Sequence, residues 1–357
     1  MRKSSRKGLN VIEIDSPSYI VNKTKLKRYD MRNLIFSRVS SDPTWTGYQR
    51  TEEEVGIKNI ADKKPGYTRV DYALSEATWT VHDVWVEAFQ WQRLQRPHGP
   101  SLMGDTWYHE RYEVDDPREI TKQLKRAAKF VGADLVGVTE INHDWLFANE
   151  RYTLEPLELP EEVKYAFVMA VELDELGIAT SPEIPAGSAT GICYSKMAFI
   201  SSTIAEFIRN LGYTAIPSGN DTAFSIPFAV DAGLGQLGRN GLLITPEYGP
   251  RVRLCKVFTD LPLIPDKPIE FGVTEFCRTC KKCAEACKVD AISFEDKPSY
   301  EAACKSTSVG VLKWAVDGEK CYNYWCDNGV DCSTCISVCP YNTGRVEASS
   351  DEFWNAI

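Results

Sequence analysis

Hydrophobic positions follow a clear period only from residue 116 onward. Asp116, Pro117 and Glu119 favour a helix start, because an N-cap carboxylate, a proline in the first turn and an acidic residue three places on all stabilise that end. The pattern then predicts a helix up to Gly132, strands over 133–138 and 165–171, a helix over 194–211 and a strand from 213 to 216. The 194–211 helix has one apolar face, formed by Met197, Ile200, Ile204, Phe207, Ile208 and Leu211. Helices that alternate with strands predict an α/β or α+β core.

The first 115 residues are rich in charge and in aromatic side chains and show less order. Segment 81–94 predicts one helix, because Val81, Val84, Trp85, Ala88 and Trp91 fall on one face. The aromatic rings of this region fit either core packing or the wall of an apolar substrate cavity. These rings belong to Trp45, Tyr48, Trp79, Trp85, Phe89, Trp91, Trp107, Tyr108 and Tyr112.

A glycine-rich loop over 233–241 formally matches the G-x-G-x-x-G pattern of dinucleotide-binding proteins. That fingerprint requires a helix directly after the glycines, whereas here the strand-like segment 242–245 follows. The sequence therefore does not predict a dinucleotide site. The glycines still indicate a backbone that packs closely against something flat or bulky.

Composition and charge narrow the class of protein. The chain has 357 residues, of which 43% are hydrophobic and 25% charged, as in soluble globular proteins. Its net charge of −9 argues against nonspecific binding to nucleic acid. No apolar stretch approaches the ~18 residues of a membrane span, and the basic segment 1–7 lacks the apolar region of a secretory signal. The predicted organisation is an N-terminal region (1–115), a core (116–270) with a linker-like end at 262–268, a cysteine-rich module (271–345) and a tail (346–357).

Ten of the twelve cysteines lie between Cys277 and Cys339, and the first 192 residues contain none. The first run has the C-x2-C-x2-C-x3-C spacing of bacterial ferredoxins, in which the fourth cysteine ligates a second cluster. The second run has three ligands and ends in Cys-Pro, so it needs a thiol from outside, for which Cys321 is favoured and Cys326 is the alternative. The predicted ligands are Cys277, Cys280, Cys283 and Cys339 for cluster one, and Cys287, Cys321, Cys332 and Cys335 for cluster two.

Zinc is the other metal that clustered cysteines bind. Four-cysteine zinc sites use paired C-x2-C motifs and not triple runs, so the spacing predicts two [4Fe–4S] clusters and one-electron transfer. Cys193, Cys255 and Cys304 are interpreted as small buried apolar residues.

Residues 116–345 resemble the corrinoid-dependent reductive dehalogenases and, as a nearer relative of that family, the epoxyqueuosine reductases. The resemblance rests on Tyr-Ser-Lys-Met-Ala at 194–198, on Pro-Ser-Gly-Asn-Asp-Thr at 217–222 and on the stretch 233–254, with the two cysteine runs following in order. It implies a nitroreductase-like core that holds a cobamide, followed by a ferredoxin-like module with two clusters. The family binds its cobamide base-off, and this chain agrees because it lacks the Asp-x-His-x-x-Gly motif of His-on corrinoid proteins.

The resemblance also implies roles for single residues. Tyr194 matches the family's catalytic tyrosine, the proton donor, and Asn220 matches a polar residue near the halogen. A phenol with a pKa near ~10 is a poor acid, so a cation must stabilise its anion. Arg253 matches that cation best by spacing, and Arg251 is its rival. The residues expected to contact the cobamide are Met197, Gly235, Gly238, Asn240, Gly241 and Arg251.

The function implied is reductive dehalogenation, in which two electrons and one proton replace a halogen by hydrogen in a small organohalide. An epoxyqueuosine reductase acting on tRNA is the alternative, and Tyr194 and the acidic balance count against it because that family uses an acidic proton donor and a basic RNA surface. A non-catalytic electron-transfer protein is a third hypothesis. The expected partners are a low-potential electron donor, a small membrane-anchor protein and a second copy of the chain, without nucleic acid. The expected location is the outer face of the cytoplasmic membrane after twin-arginine export, with the cytoplasm as the alternative.

Overall fold

The computed structural model describes residues 8–47, 52–89, 111–150 and 154–357. Two short 3-10 helices lie at Met31–Asn33 and His143–Trp145, and no helix in these ranges is long and apolar enough to cross a membrane. The strands are β1 (Ile12–Glu13), β2 (Leu135–Glu140), β3 (Tyr165–Glu172), β4 (Ala215–Ser218), β5 (Gln236–Leu237), β6 (Leu243–Ile244), β7 (Val252–Thr259) and β8 (Ile269–Glu270). The α-helices are α1 (Ile35–Ser41), α2 (Glu52–Ala61), α3 (Arg69–Phe89), α4 (Pro117–Phe130), α5 (Glu175–Ala179), α6 (Ile184–Asn210), α7 (Ser225–Asp231), α8 (Val273–Thr279), α9 (Lys282–Glu285), α10 (Gly318–Asn328), α11 (Thr334–Ser337) and α12 (Ser350–Ala356).

A four-stranded sheet in the order β2–β3–β7–β4 forms the centre of the fold, and every pairing in it is antiparallel. The mixed helix and strand content is confirmed, and the antiparallel pairing makes the core α+β. Side chains of β3 alternate between two layers: Phe167 and Met169 pack with α4 and α6, while Ala166 and Val168 pack with α7. Burial on both faces explains why this strand is a continuous apolar run in the sequence.

Helix α4 confirms the predicted start and stop signals. The Asp116 side chain accepts a hydrogen bond from the Arg118 amide at 2.9 Å, and Pro117 is the first helical residue. The chain leaves the helix through Gly132, whose φ of +110° is unfavourable for other residues. Strand β2 begins two residues later than the predicted 133–138 segment.

Helix α6 begins at Ile184, ten residues before the predicted start. Its first turns contain Gly187 and Gly191, which lower the helix propensity and interrupt the pattern of apolar residues from which a helix is predicted. These glycines allow close packing, because a Cβ at Gly191 would lie 2.6 Å from Nε1 of Trp79, and one at Gly187 would lie 2.3 Å from Val330. Helix α6 therefore contacts both α3 and the cysteine-rich module.

Helix α3 covers the first nine residues of the predicted 81–94 helix and begins earlier, at Arg69. The rest of that segment, with Trp91, lies outside the described residues, as do Tyr48, Trp107 and Tyr108. Trp45 is described and contacts the guanidinium of Arg38, whose Cζ lies 5.2 Å from the ring centroid.

The segments predicted as an N-terminal region, a linker and a tail all pack onto the rest of the described chain. Strand β1 pairs with β8, which follows the 262–268 segment. Within that segment, Asp266 accepts a hydrogen bond from the Val138 amide at 2.8 Å. In the tail, Trp354 of α12 donates through Nε1 to Asp71 at 2.7 Å. These contacts join the predicted segments into one packed structure.

We expect substitutions on the buried and exposed sides of α6 to differ in their effect on the free energy of unfolding. Ile204 is 1% exposed, whereas Phe207, on the same predicted apolar face, is 36% exposed. Ile204→Ala should lower the free energy of unfolding by about 2–5 kcal/mol, because it leaves a cavity in the core. Phe207→Ala should lower it by less than half as much. Guanidinium-induced unfolding of both variants measures this, and equal losses would contradict the burial.

Candidate active site and cluster-binding thiols

Tyr194 lies in the middle of α6 and is flanked by aromatic side chains from α3. Its ring stacks on Trp79 with centroids 5.0 Å apart, and His82 meets it edge-on at 5.4 Å. A short hydrogen bond joins the two helices beside it, since Ser195 Oγ donates to the Thr78 carbonyl at 2.6 Å. The sequence analysis did not connect Trp79 or His82 with Tyr194, because only the packing of α3 on α6 brings them together.

The phenol oxygen of Tyr194 is close to the predicted polar residue Asn220. Asn220 Nδ2 donates to Tyr194 Oη at 3.0 Å. Asn220 is exposed in the loop between β4 and α7, and its Oδ1 accepts a hydrogen bond from Ser225 Oγ at 3.3 Å. The side chains of two predicted catalytic residues are therefore hydrogen-bonded to each other.

The two candidate arginines differ in their surroundings. Arg253 of β7 has its Cζ 5.7 Å from the centroid of the Tyr194 ring, and its buried Nε has no hydrogen-bond partner. Arg251 is directed elsewhere: its Nη1 lies 2.7 Å from Glu172 Oε1, and its Nε donates to Asn342 Oδ1 at 3.2 Å. The charge of Arg251 is therefore compensated by a carboxylate, whereas Arg253 keeps an unused donor next to the phenol ring.

Lys256 and Asp221 hold the Asn220 loop through hydrogen bonds to the backbone of Gly219. The sequence analysis did not identify either residue. Lys256 Nζ donates to the Gly219 carbonyl at 2.6 Å and to Ser225 Oγ at 3.1 Å, while Asp221 Oδ1 accepts from the Gly219 amide at 2.9 Å. Burial lowers the pKa of Lys256 to about 8, and Asp221 opposes that shift. Burial raises the pKa of Asp221, which Lys256 opposes in turn. The sequence did contain a signal for Lys256, because this lysine interrupts the otherwise apolar segment 254–258.

A cavity of about 300 Å³ lies between α7, the glycine-rich loop and residues 306–318 of the cysteine-rich module. Its walls include the rings of Trp145, Phe224 and Trp314. Lys313 also lines it and donates through Nζ to Ser308 Oγ at 2.8 Å. Burial lowers the pKa of Lys313 to about 8, and no carboxylate lies within 4 Å of it among the described residues. A buried cation without an acidic partner makes this cavity suited to an anionic group.

The three glycines predicted to face a cofactor occupy two different environments. Gly241 lines the cavity with a φ of +73°. Gly235 and Gly238 instead pack inside their own hairpin, because added Cβ atoms would lie 2.1 Å from the Ile244 carbonyl oxygen and 2.8 Å from its Cγ1.

The other predicted cofactor contacts, Met197, Asn240 and Arg251, do not line this cavity. Met197 is 1% exposed and belongs to the core cluster against which Tyr194 packs. Asn240 is buried and donates through Nδ2 to the Cys335 carbonyl at 3.3 Å, so it contacts the backbone of a predicted cluster ligand.

Two residues that line this cavity, Tyr19 and Trp145, form a hydrogen-bonded network with Asp231. Tyr19 Oη donates to Asp231 Oδ2 at 3.1 Å and accepts from Trp145 Nε1 at 3.1 Å. The other carboxylate oxygen of Asp231 is buried without a hydrogen-bond partner. Burial raises the pKa of Asp231 to about 7.

The four thiols predicted for cluster one surround one small space of about 20 Å³, which Arg239 and Tyr341 also line. Burial, with Cys339, Cys277 and Cys280 nearby, raises the pKa of Cys283 to about 12. Thiols in such surroundings become thiolates only when a metal compensates the charge. Among the described residues, no three Cys, His, Asp or Glu side chains are close enough to hold a single metal ion. The thiols of cluster one are therefore arranged around a volume and do not converge on one point.

The structure also groups the thiols predicted for cluster two. Burial raises the pKa of Cys321, on α10, to about 12, and Cys332 and Cys287 add to that shift. Burial likewise raises the pKa of Cys335, with contributions from Cys321 and Cys332, then from Cys283 of the neighbouring set, and then from Cys287. The alternative ligand, Cys326, is fully buried on the same helix.

Comparison with known proteins identifies the cysteine-rich module. Residues 276–343 match the family model of the 4Fe-4S dicluster domain, so this part of the chain is an iron–sulfur module. The tetrachloroethene reductive dehalogenase of Sulfurospirillum multivorans is 40% identical over 269 residues, which are 66% of this chain and 52% of that protein. The protein of the same name from Desulfitobacterium hafniense is 40% identical over 274 residues, 65% of this chain and 50% of that protein. The chain thus spans about half the length of these curated relatives.

Solved structures show the same fold. A reductive dehalogenase described as performing B12-dependent dehalogenation superposes with a TM-score of 0.69 at 25% identity, over 97% of this chain and 45% of that one. A catabolic reductive dehalogenase in complex with 3-bromo-4-hydroxybenzoic acid superposes with a TM-score of 0.69 at 24% identity, over 96% of this chain and 45% of that one. A more distant relative is the epoxyqueuosine reductase of Listeria monocytogenes, 30% identical over 150 residues, 42% of this chain and 38% of that protein.

The fold and the family match together define a class of protein in which an α+β core is joined to a dicluster iron–sulfur module. Within that class, the chain is a homologue of the reductive dehalogenases, and the epoxyqueuosine reductases are its more distant relatives. This confirms the resemblance found in the sequence.

The Tyr19–Asp231 network makes stability depend on pH in a defined window. In the unfolded chain an aspartate has a pKa near ~3.9, whereas the pKa of Asp231 in the folded state is about 7. Between these values the folded state holds a proton that the unfolded chain has lost, so the stability that Asp231 contributes falls as the pH rises from about 4 through about 7. Asp231→Asn stays neutral and should therefore raise the melting temperature more at pH 8 than at pH 5. A gain that is the same at both pH values would contradict the raised pKa.

Proposed function

We propose that this chain is the cobamide- and cluster-binding part of a reductive dehalogenase, with Tyr194 as the proton donor. One observation carries the proposal: the phenol oxygen of Tyr194 accepts a hydrogen bond from Asn220 at 3.0 Å, while the guanidinium of Arg253 lies beside its ring. This group belongs to the same packed structure as two sets of thiols. A proton donor and an electron relay in one chain fit the replacement of a halogen by hydrogen.

The residues around Tyr194 support transfer of a proton from its hydroxyl. Loss of that proton leaves a phenolate, which is unfavourable in a half-buried site unless a cation is near. Arg253 supplies a permanent positive charge, because a guanidinium keeps its proton at any physiological pH. Its unpartnered Nε offers an additional donor. Asn220 orients the oxygen and keeps it hydrogen-bonded in both protonation states, because the amide donates to it.

A bound cobamide would supply the low-valent cobalt at which the carbon–halogen bond is reduced. The cavity beside the glycine-rich loop fits part of such a group: its aromatic walls suit a flat macrocycle, and Gly241 brings backbone to its surface. Lys313 and the hydroxyls of Ser306 and Thr307 would hold an anionic substituent such as the phosphate of the nucleotide tail.

The two thiol sets support a relay of single electrons from an external low-potential donor. We propose Cys277, Cys280, Cys283 and Cys339 as ligands of cluster one, and Cys287, Cys321, Cys332 and Cys335 as ligands of cluster two. The grouping of Cys321 with Cys332 and Cys287 favours it over Cys326. The small organohalide, the electron donor, a membrane-anchor protein, a homodimer and export to the outer face of the cytoplasmic membrane belong to the same proposal.

The first test is halide release. Anaerobically purified protein, reconstituted with iron, sulfide and a cobamide, should bind one corrinoid and about eight iron atoms per chain. With a strong chemical reductant it should release halide from at least one compound in a screen of chloroalkanes, chloroethenes and halophenols. Protein that binds no corrinoid would refute the proposal, and reduction of epoxyqueuosine in tRNA without halide release would favour the alternative enzyme.

The second test concerns the proton donor. Tyr194→Phe removes the hydroxyl but keeps the ring that stacks on Trp79, so the loaded protein should retain its corrinoid and its iron. Its turnover should fall by at least ~100-fold, the contribution that a positioned proton donor typically makes. Tyr165→Phe, which removes a hydroxyl elsewhere in the core, should keep the wild-type rate. Wild-type turnover in Tyr194→Phe would show that another group donates the proton.

A further inference from the structure

Arg239 in the glycine-rich loop is fully buried, with 1% of its surface exposed. It extends from the core into the iron–sulfur module, where its guanidinium donates only to backbone carbonyls. Nε bonds to the carbonyls of Cys277 and Cys280 at 3.0 and 3.1 Å, and Nη1 bonds to those of Ser293 and Glu295 at 2.7 and 2.9 Å. Nη2 bonds to the Cys277 carbonyl at 2.8 Å. The C-terminal end of α8, which carries two predicted ligands of cluster one, is therefore tied to a single side chain of the core.

No carboxylate pairs directly with Arg239: the acid that feels its charge, Asp296, forms its ion pair with Lys281 at 2.7 Å. Among the described residues no carboxylate lies within 4 Å of its guanidinium, unlike the buried Arg251, which pairs with Glu172 at 2.7 Å. One face of the guanidinium is covered by Trp314, whose ring centroid is 4.5 Å from Cζ. Burial of an unpaired cation is costly, so a native structure that keeps one implies a negative group nearby.

The side chain lines the small space that the four cluster-one thiols surround. A [4Fe–4S] cluster with four thiolate ligands carries a net charge of −2 when oxidised and −3 after it gains one electron. Such a cluster would be the anion in direct reach of the guanidinium, because Asp296 is already paired with Lys281. Because the guanidinium attracts the −3 form more strongly than the −2 form, it favours reduction.

We propose that Arg239 is a positioning and charge-compensating residue for cluster one, which raises the reduction potential of that cluster relative to cluster two. The electron comes from an external low-potential one-electron reductant, which is oxidised as the cluster core gains the electron and no bond breaks. The inference rests on the ligand assignment in the proposed function. It goes beyond that function because it gives the two clusters unequal potentials and names the cause.

The test is a redox titration of the loaded protein, followed by electron paramagnetic resonance of the reduced clusters. Arg239→Gln removes the charge and should shift the potential of one cluster to a more negative value, with at least a tenfold loss in the equilibrium constant for reduction. For a one-electron couple this is about 59 mV. Arg239→Lys keeps the charge and should lie closer to the wild type. Cys321→Ser perturbs cluster two and identifies which of the two steps belongs to it.

The matched control is Arg278→Gln, which removes a charge from helix α8, next to Cys277 in the sequence. Arg278 is 54% exposed in its side chain and pairs with Glu275 at 3.3 Å, so water screens its charge and the potentials should stay within a few-fold of wild type. Unchanged potentials in Arg239→Gln with full iron content would overturn the inference, as would an equal shift of both clusters. Wild-type protein that assembles no [4Fe–4S] cluster would instead refute the proposed function. If Arg239→Gln loses iron, Arg239→Lys with wild-type iron content but a shift as large as tenfold would also overturn the inference.

Discussion

The alternation of side chains along β7 is the constraint on which the site depends. This strand pairs with β3 along its whole length and with β4 over 256–259, so its register cannot slip by one residue without turning every side chain to the opposite face. Arg253 and Lys256 are three positions apart in the strand, an odd offset, and therefore lie on opposite faces. Arg253 reaches Tyr194 on the α6 side, and Lys256 supports the Asn220 loop on the other side. One strand thus sets both the charge beside the phenol and the loop that holds its oxygen.

Cations without an ion-pair partner recur in the described part of the molecule: Arg239 is buried, and Arg253 and Lys313 are partly buried. Arg239, Arg253 and Lys313 are held by carbonyls, hydroxyls or aromatic rings, and none has a carboxylate within 4 Å among the described ion pairs. Without a negative group nearby, each of these charges would lower the stability of the folded protein. Each also lies next to a place proposed for a negative group: a thiolate-bound cluster, a phenolate and the phosphate of a cobamide. The shared logic is that the protein supplies fixed positive charge and the bound groups complete the balance.

Local patterns in the sequence were sufficient for two kinds of prediction. The capping residues and apolar stripe of 116–132 predicted α4 because helix ends are decided by side chains next to them in the chain. The cysteine spacing predicted two thiol sets because three ligands of a ferredoxin-type cluster lie within a few residues of one another, whereas for the distant ligand it favoured Cys321 and left Cys326 as the alternative. The early start of α6 was missed, since glycines that favour close helix packing look like helix breakers in isolation.

By itself, then, the sequence predicted three of the four strands of the central sheet, and it selected the thiols, the tyrosine, the asparagine and a pair of candidate arginines as the site residues. Only the tertiary structure decided which of two arginines faces the phenol, that Trp79 and His82 flank it, and that Gly235 and Gly238 pack within their own hairpin. The physical reason is the range of the interactions. Periodicity, caps and ligand spacing act over a few residues, whereas the partners of a buried side chain come from segments a hundred residues apart and are set by packing and by the need to compensate charge.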